Sequence, residues 1–298
     1  LHKMVLDSVT PIKLQRARGT CWMFAAVAML EFSYRQQGIS RGWLRPSQYL
    51  KMSEQALGVA VLDACWSDPD MCLYDGDEIH TGKSTQGGEY TLLYHLRTLS
   101  NSSALPWSVC PYMQEPGHDH ACAGLHAAQA SSPLRFHVRS MATHYERLAM
   151  KTALRRGRLL ALSMPLANVL HLLPCTAATR DTLGCDPSEA GGRCHACPSQ
   201  RAYAGADCCI IAEREMSTMA GEFYYLPILP LRKEGGHAVN VVGFNDMFLT
   251  EAGFQGGWII KNSWWDGLPP GPGWTHARGS HTLGYWLQRH SDADERSV

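Results

Sequence analysis

The reading of this chain turns on the stretch Gln15-Arg16-Ala17-Arg18-Gly19-Thr20-Cys21-Trp22-Met23-Phe24-Ala25-Ala26-Val27-Ala28-Met29-Leu30-Glu31-Phe32. It is polar up to Thr20 and then runs apolar without a breaker. Thr20 as N-cap and Gly38 as stop predict a helix between them. Apolar side chains lie nearly all round it, so it reads as a buried central helix. Cys21 sits where that helix begins. The positive end of the helix dipole favours a thiolate there, and the thiolate is the form that attacks a carbonyl. The ordinary alternative is a cysteine packed into the core as a small apolar residue.

A nucleophilic thiol needs an imidazole, a group to orient that imidazole, and donors for an oxyanion. Candidates exist for each. Gln15, six positions before Cys21, offers a side-chain amide beside the Cys21 backbone N–H. His237 opens an apolar strand after Gly235-Gly236, where small residues leave room for a substrate chain. Asn262 ends another strand and is followed by Ser263-Trp264-Trp265. Singly, each has a structural explanation, and their order along the chain is what raises the chemical one.

Outward from the nucleophile, 298 residues suit one large domain or two closely packed ones. The chain is 45% hydrophobic and 18% charged, enough to bury a core and too apolar for disorder. Basic and acidic residues balance at 27 each, which argues against nucleic-acid binding through a broad basic face. The most apolar stretch, Leu159 to Leu173, is interrupted by Ser163, Pro165, Asn168 and His171, so no membrane span is expected. The chain starts with Leu1, which reads as a processed or trimmed terminus. Eleven cysteines suggest disulfides plus one odd thiol, and Asn101-Ser102-Ser103 is a glycosylation sequon. Both point to a secretory route, ending outside the cell or in a lysosome- or vacuole-like compartment.

Further helices are expected from Ser47 to Val61 with Ser47 as cap, from about Glu89 to Leu99, and from His144 to Gly157. Asn101 to Ser132 reads as loop, and Arg155, Arg156 and Arg158 as a solvated helix end. Strands are expected at Arg158–Met164, Phe223–Leu231, His237–Asn245, Gly257–Asn262 and Gly284–Arg289. Cys175 to Gln200 looks like an irregular insertion held by crosslinks. A helical first half and a strand-rich second half make an α+β fold with two lobes.

Val9-Thr10-Pro11-Ile12-Lys13-Leu14-Gln15 followed by Gly19-Thr20-Cys21-Trp22-Met23-Phe24-Ala25 resembles the nucleophile region of the papain family of cysteine proteases. Ser53-Glu54-Gln55-Ala56-Leu57 resembles the family's Ser-Glu-Gln helix, and Gly87-Gly88 its glycine pair in the cleft wall. Gly236-His237-Ala238-Val239-Asn240-Val241-Val242-Gly243-Phe244 resembles the histidine strand. Trp258-Ile259-Ile260-Lys261-Asn262-Ser263-Trp264 resembles the asparagine motif, and Gly284-Tyr285 the last strand. The matches follow the family's order and span nearly the whole chain.

The resemblance implies a single peptidase domain over residues 1–298. A helical lobe at about 10–135 faces a strand-rich, barrel-like lobe at 136–298, with the cleft between them. The Cys-rich insertion covers about 166–222. Cys21 would be the nucleophile, His237 its ion-pair partner and general acid, Asn262 the orienter of the imidazole, and Trp264 a cover for that bond. Gln15 would supply the oxyanion hole, and Gly88 with Gly87 would bond an extended substrate backbone. The implied activity is endopeptidase hydrolysis through a thioester acyl-enzyme. Its substrates would be proteins or peptides, with no cofactor and no metal, and the enzyme would be made with an N-terminal inhibitory propeptide.

Departures from the family pattern accompany these matches. Arg18 and Thr85 stand where the family has two bridged cysteines, and Ala60 where another half-cystine is usual. Cys65, Cys72, Cys110 and Cys122 are left to crosslink that lobe differently. The region between Pro165 and His237 is far longer than usual, and Trp265 to Pro272 is expanded. Arg16, Arg18 and Glu89 replace small or apolar residues near the cleft.

Three other readings stand beside the endopeptidase. A papain-fold protein with a reshaped or blocked cleft would be a structural or binding component. His118-Asp119-His120, between Cys110 and Cys122, resembles the His-bearing loop of cathepsin B, which would make a carboxydipeptidase. Cys194-His195-Ala196-Cys197 with Cys208-Cys209 has some character of a zinc site, although the adjacent pair and the secretory clues favour disulfides.

Overall fold

A computed structural model describes residues 2–16, 18–67, 84–87, 103–115, 117–138, 140–165, 170–185, 194–195, 197, 204–213, 222–224, 236–249, 255–263 and 284–287. Its helices are α1 (Cys21–Ser40), α2 (Glu54–Ser67), α3 (Leu125–Ser131), α4 (Arg147–Arg155) and α5 (Arg180–Leu183). Its strands are β1 (Lys3–Val5), β2 (Leu160–Pro165), β3 (Leu170–Cys175), β4 (Cys194–His195), β5 (Cys208–Glu213), β6 (Glu222–Tyr224), β7 (Gly236–Leu249), β8 (Gln255–Lys261) and β9 (Gly284–Leu287).

The all-round apolar character of α1 has a direct cause, because the helix is packed on two sides. Trp22, Met23 and Phe24 join Leu57, Val61 and Leu62 of α2 and Tyr112 in one core. Phe32, two turns further on, joins Leu154 of α4, Leu159, Phe244 of β7 and Trp258 and Ile260 of β8 in a second. Gly58 lets α2 approach α1, since a Cβ there would lie 2.2 Å from the Met23 sulfur. Trp22 and Met23 are fully buried, and truncation to Ala would cost about 3–5 kcal/mol at Trp22 and about 2–5 kcal/mol at Met23.

The strands form a six-stranded sheet in the order β1-β7-β8-β9-β6, with β2 also on β7. The long strand β7 is its axis. Residues 236–241 pair antiparallel with β2, and 243–245 with β1. Gly243 sits at the change of partner, where an added Cβ would lie 2.1 Å from the Met4 carbonyl oxygen, so only glycine lets β1 close on β7. A smaller sheet, β3-β5-β4, carries the Cys-rich insertion. Disulfides Cys175–Cys185, Cys194–Cys208 and Cys197–Cys209 staple it, and Cys110–Cys122 closes a loop of the helical lobe.

Several sequence expectations need correction. The second helix starts at Glu54, with the Ser53 hydroxyl accepting the Ala56 amide at 2.8 Å, so Ser53 is the cap and Ser47 lies outside the helix. Lys51 and Ser53 are instead drawn into pairing with the 104–107 segment, through Trp107 N to Lys51 O and Ser53 N to Leu105 O. α1 continues past Gly38 to Ser40, and the Gly38 carbonyl takes the amides of Trp43 and Leu44. Thr20 makes no side-chain cap; its hydroxyl pairs with the Tyr112 hydroxyl at 2.6 Å. The loop expected from Asn101 to Ser132 contains α3. Among the described residues the strand-rich lobe is an open sheet with no closed barrel. The helix expected at Glu89–Leu99, the sequon at Asn101, the Cys65 and Cys72 side chains and the Trp265–Pro272 expansion lie outside the described residues. No helix among the described residues is long and apolar enough to cross a membrane.

Candidate active site

Cys21 is the first residue of α1, half-buried, and carries a thiol, not a disulfide. The sulfur accepts the backbone N–H of Ala238 at 3.3 Å. A backbone donor and a helix N-terminus at one sulfur both favour the thiolate. Asn240 binds β7 to α1 from the same strand, its amide donating to the Ala25 carbonyl at 3.1 Å.

His237 precedes Ala238 on β7, opposite Met164 of β2, and is 1% exposed. Its Nε2 lies 2.8 Å from Asn262 Oδ1. That same oxygen accepts the Ser263 backbone N–H at 2.7 Å, which identifies it as the oxygen of the amide. Nε2 therefore carries the proton, and Nδ1 is the basic nitrogen. Burial pulls the imidazole down to about 4, against the upward effect of the Asn262 bond. An uncompensated imidazolium is therefore costly in this site.

Gln15 is buried and tied at four points. Its backbone N–H donates to the Ser263 carbonyl at 2.9 Å, and its Oε1 accepts the Ser263 hydroxyl at 2.5 Å. Its Nε2 donates to the Arg18 carbonyl at 2.8 Å, which leaves the second amide hydrogen for another acceptor. Tyr112 donates its hydroxyl to the Gln15 carbonyl at 2.9 Å.

A buried ionic cluster lies between these segments. Lys13 pairs with Glu31 of α1 at 2.7 Å and with Glu54 of α2. Thr10 donates to Glu31 at 2.7 Å, and Lys261 donates to Thr10 at 2.8 Å. Burial pushes Lys261 down to about 8. Because Lys261 immediately precedes Asn262, the cluster anchors the end of β8 to the helical lobe.

Cys21 and Gln15 of one N-terminal segment are thus brought together with His237 and Asn262, which lie more than 200 positions further along the chain. Gly87 takes a left-handed backbone conformation at φ 76° and donates its N–H to the Gly19 carbonyl at 3.1 Å, so that donor is used within the protein. Gly88 and Trp264 lie outside the described residues. Arg18 does not enter the cleft; it is buried beneath the turn. His118 and His120 are exposed, while Asp119 between them faces inward. The sulfurs of Cys175, Cys194 and Cys208 lie within 4.8 Å of one another, but each is in a disulfide and offers no thiolate to a metal. Sequence reasoning missed Ser263, Tyr112 and Asp119. The seryl residue beside Asn262 was the legible signal; the other two are visible only after folding.

A helical lobe that carries the thiol and a sheet lobe that carries the imidazole and its amide define a papain-like two-lobe fold. Among solved structures the chain is similar to one from a study of the mite allergens Blo t 1 and Der p 1. That match has 15% identity over 89% of this chain and 62% of that one, with a TM-score of 0.49. It is also similar to the cysteine protease and lectin-like domains of Cwp84, a surface-layer-associated protein of Clostridium difficile. There the identity is 14% over 94% of this chain and 46% of that one, with a TM-score of 0.49. A third is the bromelain protease of Ananas comosus in complex with the E64 inhibitor, 17% identical over 89% of this chain and 84% of that one, with a TM-score of 0.45. The chain thus spans less than two thirds of the length of the first two. No sequence-family model and no curated protein sequence matches it.

Proposed function

We propose that the protein is a cysteine endopeptidase that cleaves peptide bonds through a thioester on Cys21. The observation that carries this reading is the bond between His237 Nε2 and Asn262 Oδ1 on the strand whose next amide donates to the Cys21 sulfur. With Nε2 held by Asn262, the imidazole has one tautomer and one nitrogen to serve the thiol. In this reading the thiolate attacks the carbonyl carbon while the Cys21 N–H and the Gln15 amide receive the developing oxyanion. His237 gives its proton to the departing amine and then takes one from the water that cleaves the thioester. Four disulfides among the described residues support an oxidising, secretory setting.

The test is covalent labelling. An epoxide that traps activated cysteine-protease thiols should add to Cys21, and Cys21→Ala should lose both label and peptide cleavage while keeping its fold. Folded protein that takes no label, with no prosegment present, would instead indicate a silent structural or binding component.

A further inference from the structure

The turn that delivers Cys21 is gripped from below by a buried charge. Arg18 is 1% exposed. Its Nη1 donates to Gln55 Oε1 at 2.9 Å and to the Met113 carbonyl at 2.7 Å. Its Nη2 donates to Thr85 Oγ1 at 2.6 Å and to Asp119 Oδ1 at 3.1 Å. The guanidinium also lies 5.1 Å from the centre of the Tyr112 ring. Asp119 accepts the Thr85 amide at 2.8 Å and the Thr85 hydroxyl as well. Burial works against the Asp119 carboxylate, but the two Thr85 donors and Arg18 outweigh it and hold the group below its ordinary range. Asp119 arrives on the loop closed by Cys110–Cys122, and the Gln55 amide holds that loop through the His118 carbonyl at 2.7 Å.

The backbone of Arg18 is what makes this grip matter for chemistry. Its carbonyl is the acceptor that aims the Gln15 amide, and the turn it belongs to runs directly into Cys21. Thr85 and the residues after it are held to the same turn, by Trp22 Nε1 to the Thr85 carbonyl at 2.8 Å and by Gly87 N to the Gly19 carbonyl.

We propose that Arg18 is a positioning residue. Its guanidinium, clamped by Asp119, Thr85 and Gln55, fixes the carbonyl that aims the Gln15 amide, and so replaces by a buried ion pair the covalent tie that would join positions 18 and 85. This inference rests on the peptidase reading, with Gln15 as an oxyanion donor. An unpaired buried charge is destabilising, so the clamp works only while both partners are present.

The experiment separates acyl transfer, which develops an oxyanion, from alkylation by iodoacetamide, which displaces iodide at a saturated carbon and develops none. Arg18→Met should lower kcat about 10-fold or more with KM changed less than about 3-fold. Its rate of Cys21 alkylation should stay within about 2-fold of wild type. Asp119→Asn, which keeps the shape and removes the charge, should show the same split at smaller size, and it is the variant to measure if Arg18→Met does not fold. Arg18→Cys with Thr85→Cys should form a disulfide and restore kcat to within about 3-fold of wild type. Unchanged kcat in Arg18→Met beside an active wild type overturns this inference alone, as does a matching loss of alkylation and turnover. Wild-type protein that neither takes the epoxide nor cleaves peptide overturns the peptidase reading and the clamp with it.

Discussion

The Ser263 hydroxyl donates to the Gln15 side-chain oxygen at 2.5 Å, while the Ser263 backbone N–H donates to Asn262 Oδ1 at 2.7 Å. One residue therefore holds the proposed oxyanion amide and the proposed orienting amide in a common frame. Ser263→Ala would leave a buried Gln15 oxygen without its donor, at about 1–3 kcal/mol. We expect kcat to fall several-fold with KM nearly constant, because a misaimed donor is felt mainly in the transition state. A change confined to KM would count against this role for Ser263.

His237 gives a pH prediction with a definite sign. Its folded value of about 4 lies below the ordinary 6.5, so in that window the unfolded chain binds the extra proton. In Cys21→Ala, which removes the thiol proposed to pair with the imidazole, folding stability should rise as pH increases from about 4 to 6.5 and then level off. The loss on acidification amounts to roughly 3 kcal/mol. Imidazole titration by NMR in that variant checks the cause, and a midpoint near or above 6.5 would contradict it.

Lys13 is the cation between two buried carboxylates, Glu31 and Glu54. Lys13→Met leaves both facing each other without it. The expected cost is about 3–5 kcal/mol, read as a lowered denaturation midpoint. Lys13→Arg, which keeps the charge, should recover part of this. Equal losses in the two variants would mean that shape, not charge, sets the requirement.

Arg16 is a non-glycine residue in a left-handed conformation, at φ 58°, and it is exposed. Arg16→Gly should therefore stabilise the fold by about 1 kcal/mol, measured as an upward shift in midpoint with an unchanged slope. Destabilisation would show that the Arg16 side chain contributes more than its backbone strain removes.

His118 and His120 point outward on the loop that Asp119 anchors. Replacing both with Ala should leave the ratio of turnover on free and amidated peptide C-termini within about 2-fold of wild type. A collapse of that ratio toward amidated peptides would instead support the carboxydipeptidase reading.

Legibility followed the range of the forces involved. The buried helix from Cys21, the strand at His237 and the strand ending at Lys261 are written in local apolar patterns. Helix ends were less legible, because competing partners set them. Ser47 was a plausible cap until the 51–53 backbone paired with 105–107, and Gly38 a plausible stop until its carbonyl found Trp43 and Leu44. The departure at Arg18 and Thr85 was visible as a missing bridge. Its replacement was not, since Asp119 lies 101 positions from Arg18 and looked like part of a histidine loop.

By itself, the sequence named the side chains proposed for the chemistry and their order, and its eleven cysteines implied one odd thiol. Tertiary structure alone decided how they are held. Which His237 nitrogen carries the proton, what aims Gln15 and what replaces the absent bridge depend on buried polar groups finding partners far apart in the chain. Burial makes an unpaired polar group costly, and only the completed fold shows which partner satisfies it.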